Sequence, residues 1–246
     1  MINKMRSYTE RMERGKEKIL NVLTFLKEET YSDKASLMQV SGITNSGNFY
    51  RFIEKLVQHN FLQRFVFEVP GTRITLWGIT MDGIAVVLQP DDVFPNRFEP
   101  SKLTGWSLQH HIMNQNIRLT LEAKGGHSWI NGDRKSFMTQ FDVKHRPDGL
   151  ITLPDGQRIA IEAERSLKTK ARYQEIMKSH LVARKADKWQ YVYYVLPDEQ
   201  KKLALMKLFG SITFLTFSGR PITLEQGHRE VFKFFTVEEL KNQSFS

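Results

Sequence analysis

One short segment constrains the fold more than any other. Gly149-Leu150-Ile151-Thr152-Leu153 and Arg158-Ile159-Ala160-Ile161-Glu162-Ala163 are apolar runs separated by Pro154-Asp155-Gly156. Two such runs around turn residues read as a β-hairpin, and their apolar content puts the strands in a core. Acids stand at its ends: Asp148 before the first strand, Glu162 and Glu164 at the close of the second. Residues two apart on a strand share a face, so Ile159, Ile161 and Ala163 face one way and Ala160, Glu162 and Glu164 the other. Like charges so placed repel, and burying either unpaired is costly. A cation removes the problem, and a divalent ion needs oxygen ligands from separate segments. Asp148, Glu162 and Glu164 are therefore candidate ligands for Mg²⁺ or Mn²⁺. The competing reading is an exposed face on which each glutamate pairs with an Arg or Lys.

Charge extends the argument to a substrate. The chain carries a net charge of +9, unevenly spread. Residues 1–95 hold 12 basic and 11 acidic side chains, and the rest hold 24 and 16. From Arg165 to Lys188 there are eight basic residues and two acids. A basic patch is the footprint of a polyanion, although a solvated helix face has the same composition. The absence of cysteine excludes a disulfide scaffold and a Cys-based zinc site. No apolar run approaches the roughly 20 residues that span a bilayer. The N-terminus is polar with no apolar region behind it, so a cytoplasmic protein without membrane insertion is expected.

The first third has its own pattern. Ile19, Leu20, Leu23, Phe25 and Leu26 recur at roughly helical spacing over 14–28, and a short helix is expected over 34–40, capped by Ser32 or Asp33. A third helix is expected over 47–60, burying Phe49, Phe52, Ile53, Leu56 and Val57. Strands over 62–69 and 74–79 flank Pro70-Gly71-Thr72-Arg73, and a short helix ends near Leu88. This is the order of a winged helix-turn-helix, whose third helix enters the major groove. Asn45, Ser46, Asn48, Tyr50 and Arg51 at its start, and Arg73 at the wing tip, are candidate DNA contacts. Dimerisation or domain packing is the competing role. Three prolines in 89–100 mark a linker. The expected division is 1–90, a linker over 91–104, and 105–246.

In the second part a helix is expected over 106–123 and strands at 129–130 and 137–143. The hairpin follows, then a helix over 169–185, a strand over 190–196, a helix over 199–209 and a strand over 211–217. This α+β or α/β pattern is a mixed sheet with helices on its faces.

Pro147-Asp148, followed by Glu162-Ala163-Glu164, resembles the PD-(D/E)xK signature of restriction-endonuclease-like nucleases. Glu164 stands where that signature usually has lysine. Some restriction enzymes carry Glu-x-Glu there, and Lys168 or Lys170 could supply the positive charge. Over most of the chain, a winged helix followed by Arg-Pro-Asp-Gly, Glu-Ala-Glu-Arg-Ser and Lys-x-Lys-x-Arg-Tyr is similar to MobC-type plasmid mobilisation relaxases and to replication-relaxation proteins. The resemblance implies a relaxase that nicks one strand at a plasmid transfer origin, working with other mobilisation or coupling proteins. It also implies a histidine in the helix before the sheet, His110 or His111, with His110 favoured and Asn114 or Asn116 nearby.

In the expected mechanism, Asp148 and Glu162 hold the metal, and Glu164 is a further ligand or orients water. Lys168, Lys170 and Arg172 neutralise phosphate, and His110 is an acid–base candidate or phosphate contact. Arg146, Arg165, Arg172 and Tyr173 are candidate DNA contacts, with Tyr173 also weighed as a covalent nucleophile. The alternatives are a non-cleaving origin binder or repressor and a restriction-type nuclease that cuts both strands.

Overall fold

The computed structural model describes residues 7–69 and 72–245. The chain divides into two compact units, 1–115 and 116–246. Among the described residues it is a mixed α+β structure of ten α-helices and three sheets, the largest a five-stranded mixed sheet. None of these helices is long and apolar enough to cross a membrane.

The first unit opens with α1 (Tyr8–Glu29), started by a reciprocal capping box between Ser7 and Glu10. Its buried side is Val22, Leu23, Phe25 and Leu26. The short β1 (Tyr31–Asp33) leads into α2 (Lys34–Ser41), for which Asp33 is the cap. Asn45 caps α3 (Ser46–Gln58) by accepting from the Asn48 amide. That helix buries Phe49, Ile53 and Leu56, one face at helical spacing. β2 (Leu62–Val69) and β3 (Thr72–Ile79) pair antiparallel, and β1 adds to β3. The expected turn residues Pro70 and Gly71 lie outside the described residues. Thr80 caps α4 (Met81–Val87).

The proline-rich span expected as a linker contributes to this unit's packing. Phe98 is buried and donates its amide to the Ile79 carbonyl. Its ring lies where a side chain at position 78 would be: a Cβ on Gly78 would come within 2.1 Å of it. The aromatic anchor and the side-chain-free strand position are complementary.

α5 (Gly105–Glu122) crosses the division between the units. The second unit continues with β4 (His127–Asn131), α6 (Lys135–Gln140), β5 (Gly149–Thr152) and β6 (Arg158–Ala163). Then come α7 (Lys170–Lys185), β7 (Tyr191–Leu196), α8 (Glu199–Ser211), β8 (Phe214–Phe217) and β9 (Arg220–Thr223). α9 (Gln226–Arg229), β10 (Phe232–Thr236) and α10 (Val237–Asn242) close the unit. The central sheet runs β10-β7-β6-β5-β4. β7 is parallel to both its neighbours, whereas β5 is antiparallel to both of its own. Leu150, Ala160, Val192 and Tyr194 from three adjacent strands share a core with Tyr173, Ile176 and Met177 of α7.

Two expected strands are corrected. Residues 137–143 do not extend as a strand; their first half lies in α6, where Phe137 is fully buried. Phe137 and Phe141 are four residues apart, and their rings stack at 4.8 Å. That spacing suits one helical face. The strand expected over 211–217 starts only at Phe214 and pairs with β9 in a separate two-stranded sheet. The edge of the central sheet is taken by β10.

Candidate metal centre

The hairpin is in register as Gly149 opposite Ile161 and Leu150 opposite Ala160, which continues to put Asp148 beside Glu162. The Asp148 amide donates to the Ile161 carbonyl at 2.8 Å. Its Oδ2 accepts from the Ala163 amide at 2.7 Å, so the aspartate extends the ladder one step past the strand. Gly132 fixes this corner: its amide donates to the Asp148 carbonyl at 3.1 Å. A Cβ there would fall 1.7 Å from the Pro147 carbonyl oxygen.

Glu162 faces the side of the sheet that α7 covers. One oxygen, Oε1, accepts from Nε2 of His145 at 2.7 Å and from Nε2 of His180 at 3.0 Å. His145 precedes β5 in the chain, and His180 lies on the buried side of α7. The two rings are nearly perpendicular with centroids 5.4 Å apart. Burial pushes the Glu162 carboxyl upward, but the hydrogen bonds and charges of His145 and His180 outweigh it and hold the group below the usual carboxylate range. Burial lowers His180 despite its glutamate partner. A neutral His180 donating through Nε2 leaves Nδ1 as an acceptor. That atom is buried and has no hydrogen-bond partner among the described residues.

Glu164 has a different neighbourhood. Its Oε2 accepts from Lys168 Nζ at 2.5 Å, and Tyr173 hydrogen-bonds the same carboxylate. Burial nonetheless raises its pKa, and the Glu162 charge adds to the effect. Tyr173, expected to contact DNA, is fully buried, and its hydroxyl accepts from the Lys168 amide at 3.2 Å. Burial and the nearby glutamates push its phenol upward, away from the ionised form that a nucleophile needs.

The acids meet electrostatically at Tyr194. Burial raises this hydroxyl well above its ordinary value, and Glu162, Glu164, Tyr173 and Asp148 raise it further. Among the described residues, the ligand atoms that lie within 4.8 Å of one another are those of His145, Glu162 and His180. Of the three expected ligands only Glu162 belongs to that group. Neither histidine was singled out from sequence. A histidine two residues before Pro147, and a histidine in phase with Tyr173, Ile176 and Met177 on an apolar helix face, are the signals that mark them.

The remaining expected residues are spread over both units. Lys170 donates to the Ser211 carbonyl at 2.7 Å, Arg172 is exposed, and Arg165 is half-buried at the approach to α7. Arg146 is exposed and 4.0 Å from Asp133. His110 is half-buried on α5, in the part of the helix that belongs to the first unit. Asn45, Ser46, Asn48, Tyr50 and Arg51 all lie exposed at or near the start of α3. Arg51 donates to Asn48 Oδ1 at 2.7 Å, and Lys34 donates to Ser46 at 3.0 Å and lies over the Tyr50 ring. Arg73 is exposed and pairs with Glu68 at 3.2 Å.

Comparison of the chain with protein-family models gives no match, and comparisons with curated proteins and with solved structures also give none.

Proposed function

We propose that this chain binds DNA and cuts a phosphodiester with the help of a divalent ion, and that its biological role is strand-specific nicking at a plasmid transfer origin. The observation that carries the reading is the hairpin register, which sets Asp148 beside Glu162 with Glu164 two residues on, followed by the basic start of α7. Carboxylates at adjacent strand ends next to lysines suit metal-assisted phosphoryl chemistry. Asp148 and Glu162 would hold Mg²⁺ or Mn²⁺, which supplies a Lewis acid for the scissile phosphate when bound. Glu164, raised by burial, is suited to take a proton from an attacking water. Lys168 holds Glu164 in place, while the exposed Arg172 is available to phosphate.

The first unit supports a DNA partner. Its order of helix, strand, two helices and a two-stranded hairpin, with β1 added to β3, fits a winged helix-turn-helix. The polar start of α3 is exposed as a reading helix requires.

Supercoiled plasmid incubated with protein and Mn²⁺ tests this reading. Nicked circles that require the origin sequence are expected, and Glu162→Ala should lose them while origin binding survives. Linear product would mean a restriction-type nuclease.

One observation favours a second reading, a non-cleaving origin binder. Glu162 is satisfied by two imidazoles, Glu164 by Lys168 and Asp148 by a backbone amide. In this reading wild type converts no plasmid under any divalent ion yet still binds the origin.

A further inference from the structure

We propose that His145, Glu162 and His180 form a binding site for a transition-metal dication, with Zn²⁺ the natural fit. The site shares Glu162 with the proposed cleavage centre, but its occupancy does not depend on DNA cleavage.

Three elements deliver the donors: the loop before β5, strand β6, and the middle of α7. Both imidazoles aim the same nitrogen, Nε2, at the same carboxylate oxygen. Around an ion with bonds of about 2.0–2.1 Å in tetrahedral geometry, neighbouring ligand atoms lie about 3.3 Å apart. The two imidazole–carboxylate separations of 2.7 and 3.0 Å need to open by only a few tenths of an ångström, and the two imidazole nitrogens lie within 4.8 Å of each other. That is side-chain rotation, not a change of fold. Two imidazoles and one carboxylate are a known zinc ligand set, with one position left for water or a phosphate oxygen. Imidazole suits Zn²⁺ and its neighbours, whereas Mg²⁺ prefers oxygen donors and keeps its own waters.

Burial argues that the histidines are kept for more than packing. His180 is fully buried against Trp189 and Phe232, with Nδ1 lacking a partner among the described residues. An unsatisfied polar atom in such a place is a standing cost that an apolar side chain would avoid. The apolar wall of Trp189 and Phe232 also keeps bulk water from competing on the His180 side. His145, with its side chain 16% exposed against 5% for Glu162 and none for His180, is the side open to an entering ion.

The test uses the full chain stripped with a chelator and then titrated with Co²⁺, a coloured stand-in for Zn²⁺. One equivalent is expected to bind, with visible absorption of a four- or five-coordinate ion and quenching of the nearby Trp189. Zn²⁺ should displace it and excess Mg²⁺ should not. His145→Gln and His180→Gln keep a hydrogen-bond donor for Glu162 but remove an imidazole, and each should weaken binding by about 100-fold or more. Circular dichroism checks that the variants fold, and if His180→Gln does not, His145→Gln on the exposed side decides alone. No cobalt uptake by wild type, or uptake unchanged in His145→Gln, overturns the site. The plasmid assay separates this from the cleavage reading. Metal uptake without nicking leaves the site standing and removes the nuclease. Normal Mg²⁺-dependent nicking by a wild type that takes up no cobalt does the reverse.

Discussion

The start of α3 and the end of β6 are both rich in polar side chains, but they treat them in opposite ways. At α3 the polar groups are exposed, and Arg51 and Asn45 find their partners within a few residues, Arg51 in Asn48 and Asn45 in the Asn48 amide. At β6, Glu162 and Glu164 are each 4% exposed, and Glu162 finds partners 17 and 18 residues away in sequence. An exposed polar residue loses little if its neighbour is removed, since water replaces it. A buried one loses a hydrogen bond to a charged group with nothing to take its place. Apart from the cap Asn45, polar residues at α3 can therefore be exchanged at little cost in stability, while those at β6 are part of the structural core.

Removal of the shared acceptor is expected to have the largest effect. Glu162→Ala takes two charge-assisted hydrogen bonds, one from the buried His180 and one from the half-buried His145, and should destabilise the second unit by about 3 kcal/mol. Urea unfolding followed by Trp fluorescence measures it. A loss below about 1 kcal/mol would mean that the triad is not structural. Gly132→Ala comes next. The added methyl meets the Pro147 carbonyl backbone, which cannot rotate away, so the corner that carries Asp148 has to shift. A destabilisation of about 1–3 kcal/mol is expected from such overpacking, and any plasmid nicking should fall with it. Unchanged stability would show that the corner yields freely.

How much of this was legible in the sequence follows from the same contrast. The α3 cap, its buried face and the flanking strands are written in local patterns: a capping residue, helical spacing, turn residues between apolar runs. The hairpin and the shared face of Glu162 and Glu164 were legible because strand alternation is also local. The partners of Glu162 were not, because nothing near Glu162 in sequence points to His145 or His180. Two acids on one face suggest a shared cation, and each also has protein partners of its own, with Lys168 one turn from Glu164. Residues 137–143 are ambiguous in sequence for a related reason. A short apolar run fits either period, and the Phe137–Phe141 spacing had to decide it. β10 escaped because its sequence, Phe232-Lys233-Phe234-Phe235-Thr236, lies far from the strand it joins.

A smaller effect is expected at the reading helix. Arg51→Ala removes an exposed side chain whose partner, Asn48, also faces water. Stability should move by less than about 0.5 kcal/mol. If α3 lies against DNA, the salt slope of DNA binding should fall by about one ion. An unchanged slope with weakened binding would point to a base contact, and no change in either would take Arg51 off the interface.

The smallest effect separates a partly buried ion pair from the buried triad. Lys27 donates to Asp92 Oδ2 at 2.6 Å, with the two side chains 18% and 29% exposed. The lysine hydrogen bond is the main reason that the Asp92 carboxyl sits below its ordinary value, against the opposing effect of burial. A carboxyl lowered by folding adds stability at neutral pH that is fully present above its ordinary pKa of 3.8, and that is lost as pH falls through the lower folded value. Lys27→Met should therefore cost less than about 1 kcal/mol at pH 7, because water screens a pair this open. The difference between variant and wild type should shrink as Asp92 protonates below about pH 4. A cost above about 2 kcal/mol, or one that does not change with pH, would mean that the lysine acts through its contact with the Val87 carbonyl at 3.4 Å or through packing of its methylene chain. The first unit would then depend on a buried polar contact as the second does, and the contrast between the two regions would be one of degree.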